Sequence, residues 1–165
     1  MDVPSIENPF AVMTAIVAPA VLTNACTVLA LGTSNRIARV VDRTRVITTE
    51  LGQLDASTRD YRIRVDMLAR QRERGTLLMR ALRILYGALG GFAASALISV
   101  VGSGLAFYGQ RMLFRASAIL ALTVGALAVG GLVFGCALLV QETRIALVGI
   151  QEEADFMLQR DSAPL

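Results

Sequence analysis

A chain of 165 residues in which 55% of side chains are hydrophobic, 5% aromatic and 18% charged, with a net charge of +3, has the composition of helices in lipid. All sixteen basic residues are arginine, with no lysine or histidine, which excludes a histidine proton relay and leaves positive charge that no pH near neutrality removes. Three runs without a charged side chain, 9–35, 84–110 and 116–141, leave no room for a separate soluble enzyme domain.

Each run is long enough to cross a bilayer, since about 20 apolar residues in a helix span roughly 30 Å of hydrocarbon. None has the strict alternation of a barrel strand, and only helices and closed barrels satisfy every backbone polar group in lipid. The fold class expected is all-α: one membrane domain over residues 1–165 with three transmembrane helices at about 10–34, 84–107 and 116–140. A cytoplasmic helical hairpin at 36–83 continues spans one and two, and an acidic C-terminal tail occupies 142–165.

The first nine residues carry Asp2 and Glu7 but no base, so the basic n-region of a cleaved signal peptide is missing and the first span is expected to stay in the mature protein. Helix one is expected from near Ile6. Within it, Pro19 frees a backbone carbonyl, and Thr23, Asn24 and Thr27 supply amide and hydroxyl groups at membrane depth, as glue between helices or as the lining of a hydrated path. Cys26 and Cys136 fall in predicted spans and read as small apolar packing groups rather than a disulfide framework or a zinc site.

Beyond the first span, Ile37, Val40, Thr44, Ile47, Leu51 and Leu54 recur in alternating steps of three and four, a coiled-coil spacing broken only by Thr44. Residues 54–57 read as a turn, and Ser57 followed by Asp60 resembles a capping box opening a second helix. That helix offers Val65 and Leu68 to a partner and runs into the second span, with Gly75 as a hinge or kink. A hairpin with arms of about 20 residues, roughly 30 Å each, is expected to pack against copies of itself, against a cytoplasmic protein, or to serve as a stalk.

In the second span Gly87, Gly91, Ser95, Ser99 and Ser103 stand four residues apart and form a ridge of small side chains that lets helices approach closely, within one chain or between subunits. Gly131 and Gly135 repeat the device in the third span. Residues 36–83 hold twelve arginines against six acids, whereas the connection 108–115 has two arginines, so the positive-inside rule puts the hairpin and the C-terminus in the cytoplasm and the N-terminus outside. Glu152, Glu153, Asp155 and Asp161 make the tail opposite in sign to the hairpin, which allows a weak electrostatic latch.

At the cytoplasmic boundary Asn35, Arg36, Arg39, Asp42, Arg43 and Arg45 form a polar collar, joined at the same level by Arg83, Glu142 and Arg144. Two readings stand beside each other: the arginines simply snorkel toward anionic lipid headgroups, or the spans are bundled and Glu142 pairs with Arg36, Arg39 or Arg83. No phosphate loop, catalytic carboxylate pair, metal-ligand spacing or nucleophile with its base can be found, so no cofactor and no enzyme activity are expected. Nucleic-acid binding is disfavoured without a recognised module or interleaved aromatic residues.

Pro19, the run Asn35-Arg36-Ile37-Ala38-Arg39-Val40-Val41-Asp42-Arg43-Thr44-Arg45, two further spans and Glu142-Thr143-Arg144-Ile145-Ala146-Leu147 together resemble a bacterial family of three-span membrane proteins, domain of unknown function 2721, over roughly residues 10–150. The resemblance implies a bacterial cytoplasmic membrane location and importance for the arginine-rich collar, and supplies an architecture rather than an activity. The expected protein is a non-enzymatic, self-associating inner-membrane scaffold whose hairpin binds a partner. The competing expectation is a passive, anion-preferring channel of several copies, lined by Thr23, Asn24, Thr27 or the serine ridge.

Overall fold

The computed structural model describes residues 9–108 and 111–161, and among them every regular element is helical: α1 (Pro9–Leu51), α2 (Arg59–Phe107) and α3 (Arg111–Asp161). At 1.5 Å per residue, helices of 43, 49 and 51 residues measure about 65–75 Å along their axes, roughly twice the hydrocarbon thickness of a bilayer. Each helix therefore has a part that cannot lie in hydrocarbon, and the sequence marks it by a change from apolar to charged composition, arginine-rich in α1 and α2 and mainly acidic in α3. Arg59–Gly104 and Arg111–Leu147 contain windows long and apolar enough to cross a membrane, and only 17% of each window is buried within the protein. The core helix of a soluble protein would be mostly buried, so these faces need an apolar solvent. The first span expected at 10–34 falls partly on side chains outside the described set, as does the start of helix one near Ile6.

α1 runs through Pro19 without ending and stops at Leu51, where Gly52 N donates to Thr48 O at 3.2 Å. In the turn that follows, Asp55 organises the chain. Its Oδ1 accepts from Ser57 N at 3.1 Å, and its carbonyl accepts from Thr58 N at 3.0 Å and Thr58 Oγ1 at 2.6 Å. Thr58, not Ser57, caps α2: Tyr61 N donates to Thr58 Oγ1 at 3.4 Å, the N-cap to N3 bond of a helix start. The N-cap is thus one residue later than the expected Ser57, and it is a single cap rather than a capping box, because Tyr61 at N3 has no carboxylate to reach back.

The chain divides into two compact units. The first contains α1 up to Ala30 together with Ile84–Val133. Its core is built from small side chains and one ring: Cys26, Ala88, Phe92 and Ala128, flanked by Leu22, Leu89 and Leu132. Its periphery exposes Val21, Val28, Leu97, Val100, Val101 and Leu122, the reverse of a water-soluble arrangement.

The second unit contains Leu31–Arg83 and the part of α3 from Phe134 onward. Here α1 turns in Thr33, Ile37, Val40, Thr44, Ile47 and Leu51, and α2 turns in Tyr61, Arg64, Leu68, Gln71, Gly75 and Leu78, each buried or half-buried and each series in alternating steps of four and three. The hydroxyl of Thr44 is hidden from the seam by donating to Val40 O at 2.8 Å. Two expectations change. Val65 is 40% exposed because the α2 seam passes through Arg64 and Leu68, and Arg64 forms an ion pair with Glu50 of α1. At Gly75 α2 continues without a break, and a Cβ there would lie 3.5 Å from Val40 Cγ1, an ordinary van der Waals contact, so the packing of α1 on α2 leaves room for a side chain at this position.

Candidate functional site

Among the described residues, Glu142 is the one charged side chain that is fully buried, at 2% exposure. It stands where the apolar run of α3 gives out, and a carboxylate withdrawn from water at such a place must be paired. Both oxygens are engaged. Arg74 Nε of α2 donates to Oε1 at 2.9 Å with Nη2 2.8 Å from the same oxygen. Arg36 Nη1 of α1 lies 3.3 Å from Oε2 and also donates to Thr143 Oγ1 at 3.1 Å. Thr143 in turn donates to Leu139 O at 2.9 Å, which leaves its oxygen lone pairs facing the guanidinium. One acid on α3 thus joins an arginine from each of the other two helices, all within the second unit.

The two arginines differ in weight. Arg74 is 25% exposed and approaches with two nitrogens, whereas Arg36 is 47% exposed and approaches with one at longer range. Two cations around one anion leave a local charge of about +1. Of the expected partners of Glu142, Arg36 is present, but Arg39 and Arg83 are not. Arg39 turns outward and donates from Nε to Asn35 O at 3.4 Å, and Arg83 is exposed. Arg74 is not among the expected partners: it stands in the polar stretch 70–74, where no apolar periodicity marks which side chain turns inward.

The rest of the collar, Asn35, Asp42, Arg43, Arg45 and Arg144, is exposed and is not drawn together around a common cavity. It forms a basic surface rather than a pocket. The side chains of the acidic tail from residue 151 onward lie outside the described set, although the backbone there is helical to Asp161.

In the first unit the ridge of small residues divides by role. Gly91 faces α3 so closely that a Cβ would lie 2.9 Å from Ala128 Cβ, and Ser95 Oγ donates across to Ala121 O at 2.8 Å. Gly102, outside the ridge, is buried against Ser117, whose hydroxyl a Cβ would overlap. Gly131 packs on Ala88, 3.6 Å from where its Cβ would stand. Gly87, Ser99 and Ser103 are exposed, but Ser99 and Ser103 donate to the carbonyls of Ser95 and Ser99, both at 2.9 Å, so neither donor needs water. A shallow apolar groove of about 360 Å³ between α2 and α3 includes Gly87, Gly91 and Gly131 in its lining.

The polar cluster of α1 that the sequence places at membrane depth is also split. Thr27 Oγ1 donates to Thr23 O at 3.0 Å, whereas Asn24 is exposed. Cys26 is buried and Cys136 half-buried, both as free thiols. No cluster of metal-ligating side chains occurs among the described residues.

A family described as protein of unknown function (DUF2721) matches the chain over residues 16–152. No curated protein and no solved structure matches it.

Proposed function

Since the chain belongs to the DUF2721 family of bacterial membrane proteins, we propose that it is a three-span, self-associating scaffold of the cytoplasmic membrane, without catalytic activity of its own. α1 supplies the third span through its charge-free stretch 9–35, the N-terminus lies outside, and the hairpin and C-terminus lie in the cytoplasm. The arginine surface of Arg39, Arg43, Arg45, Arg83 and Arg144 meets anionic lipid headgroups and a cytoplasmic protein partner.

The observation that carries this reading is the clasp of Glu142 by Arg36 and Arg74. A channel or transporter keeps its membrane-boundary charges facing a water path where they select or carry ions. Here the buried acid is consumed in fixing three helices to one another. The exposed serines of α2 likewise satisfy their own hydroxyl donors within the helix. A helical base that presents exposed arginines outward suits a platform better than a conduit.

A passive channel of several copies is the second reading, favoured by the exposed amide of Asn24. Proteoliposomes loaded with a halide-sensitive dye separate the two. The scaffold predicts no anion flux above protein-free vesicles, and binding to vesicles containing phosphatidylglycerol that weakens when Arg39, Arg43 and Arg45 are changed together to glutamine. Flux that falls when Arg36 is changed to glutamate would establish the channel instead.

A further inference from the structure

The exposed side of α1 in the first unit is apolar except at Asn24 and Thr27, and Thr27 already donates its hydroxyl to Thr23 O at 3.0 Å. Val17, Val21 and Val28 are 51%, 60% and 62% exposed and, with Asn24, recur in steps of four, three and four, which lines them up on one face of the helix. Asn24 sits in the middle of that face, eleven residues from Asn35 and twelve from Arg36, the first charged side chain beyond it. Its primary amide carries two donors and a carbonyl acceptor, and no hydrogen bond joins it to another described residue. Facing hydrocarbon, those groups have nothing to bond with, whereas a single asparagine in an otherwise apolar helical seam fixes register and partner number by pairing with its own equivalent.

We propose that this face of α1 is the contact between two copies of the chain, with the two Asn24 amides hydrogen-bonded to each other inside the membrane. The proposal rests on the three-span reading above and names the partner and the face that self-association uses. Two copies inserted with the same topology are related by a two-fold axis along the membrane normal, so their α1 helices run parallel and equivalent residues meet at the same depth. Nδ2–H of one amide donates to Oδ1 of the other, and a symmetric pair can make both bonds. Val21 and Val28 pack above and below. Gly91 and Ser95 are already taken up by α3, which leaves the small-residue ridge less to offer a neighbour than the sequence suggests.

The test is the dissociation constant of the full chain in lipid vesicles, read by energy transfer between donor- and acceptor-labelled copies, with cysteine crosslinking in native membranes beside it. Asn24→Val is expected to weaken the dimer by roughly 3- to 30-fold, the range of one intramembrane hydrogen bond, and Asn24→Gln to weaken it less. Single cysteines at Val21, Asn24 and Val28, with Cys26 and Cys136 changed to alanine, are expected to crosslink between copies, while Leu22 and Leu29 are not. Unchanged affinity in Asn24→Val together with crosslinking off this face overturns the proposal, as does a wild-type chain that stays monomeric at every density. Rapid labelling of Asn24→Cys by a membrane-impermeant thiol reagent also overturns it, because it places the amide in a water path. If instead the vesicles show α1 not to span the bilayer, the three-span reading itself fails, and that result is distinct from loss of the dimer.

Discussion

Replacing Glu142 by glutamine changes one oxygen to an amide nitrogen and keeps the volume, so the loss measured is that of charge and acceptor geometry. Arg74 then faces a neutral group, and if the new NH2 takes the Oε1 position two donors oppose each other. Breaking a buried ion pair from one side costs about 3–5 kcal/mol. Exposure of Arg36 reduces its share to under about 1 kcal/mol, whereas Arg74, with two nitrogens within 3 Å of Oε1, carries most of the rest. Glu142→Gln is therefore expected to destabilise the protein by about 3 kcal/mol. A double-mutant cycle should give a coupling of about 2 kcal/mol with Arg74→Gln and well under 1 kcal/mol with Arg36→Gln. The assay is reversible unfolding in mixed detergent micelles, followed by loss of helical circular dichroism as the denaturing detergent is raised. Replacing both members of the stronger pair, Arg74→Met with Glu142→Leu, should recover most of the stability, because neither variant group then needs a partner. Equal coupling to the two arginines, or a Glu142→Gln loss below about 1 kcal/mol, would refute the assignment of Glu142 as the point that holds the three helices.

Two glycines should respond to alanine with opposite signs. Gly75→Ala places a methyl in ordinary contact with Val40 and removes a helix-interior glycine, a gain of about 0.5–1 kcal/mol in the same unfolding assay. Gly91→Ala forces Ala128 away and should lose about 1–3 kcal/mol. At the start of α2, Thr58→Ala should cost about 1 kcal/mol and speed hydrogen exchange at Asp60 and Tyr61, whereas Ser57→Ala should leave those amides unchanged. Ser95→Ala removes a bond to α3 and should destabilise by about 0.6 kcal/mol; Ser99→Ala, whose hydroxyl bonds only its own helix, should be neutral within error.

The helical class, the ends of the apolar runs and the turn between α1 and α2 follow from charge placement and spacing that are local in sequence. The partners of Glu142 do not, because they depend on which side of each seam an arginine falls. With the α1 seam at Val40, Thr44 and Ile47, Arg36 occupies the position just before Ile37 and flanks the contact, while Arg39, just before Val40, points outward. On α2, Arg74 stands just before Gly75 and flanks the seam in the same way, whereas Arg83 follows Leu82 and faces out. That distinction was legible only if the α2 series was carried through two polar seam residues, Arg64 and Gln71, and a glycine, and hydrophobic patterning is blind to all three. Val65, being apolar, drew the seam one residue off its true line. The ridge illustrates the opposite difficulty: its spacing was plain, but spacing cannot distinguish residues facing α3 from those facing outward.

The placement of Glu142 late in the chain also orders biogenesis. Its two arginines are synthesised with the first and second helices, so a nascent chain that has emerged only through α2 holds both cations without the Glu142 carboxylate that joins them. Closure of the base must wait for α3, and a message broken before codon 142 yields a product with uncompensated charge at that point. Such a product differs from the finished protein by two arginines left without their shared carboxylate, so the second unit closes only once α3 has been made.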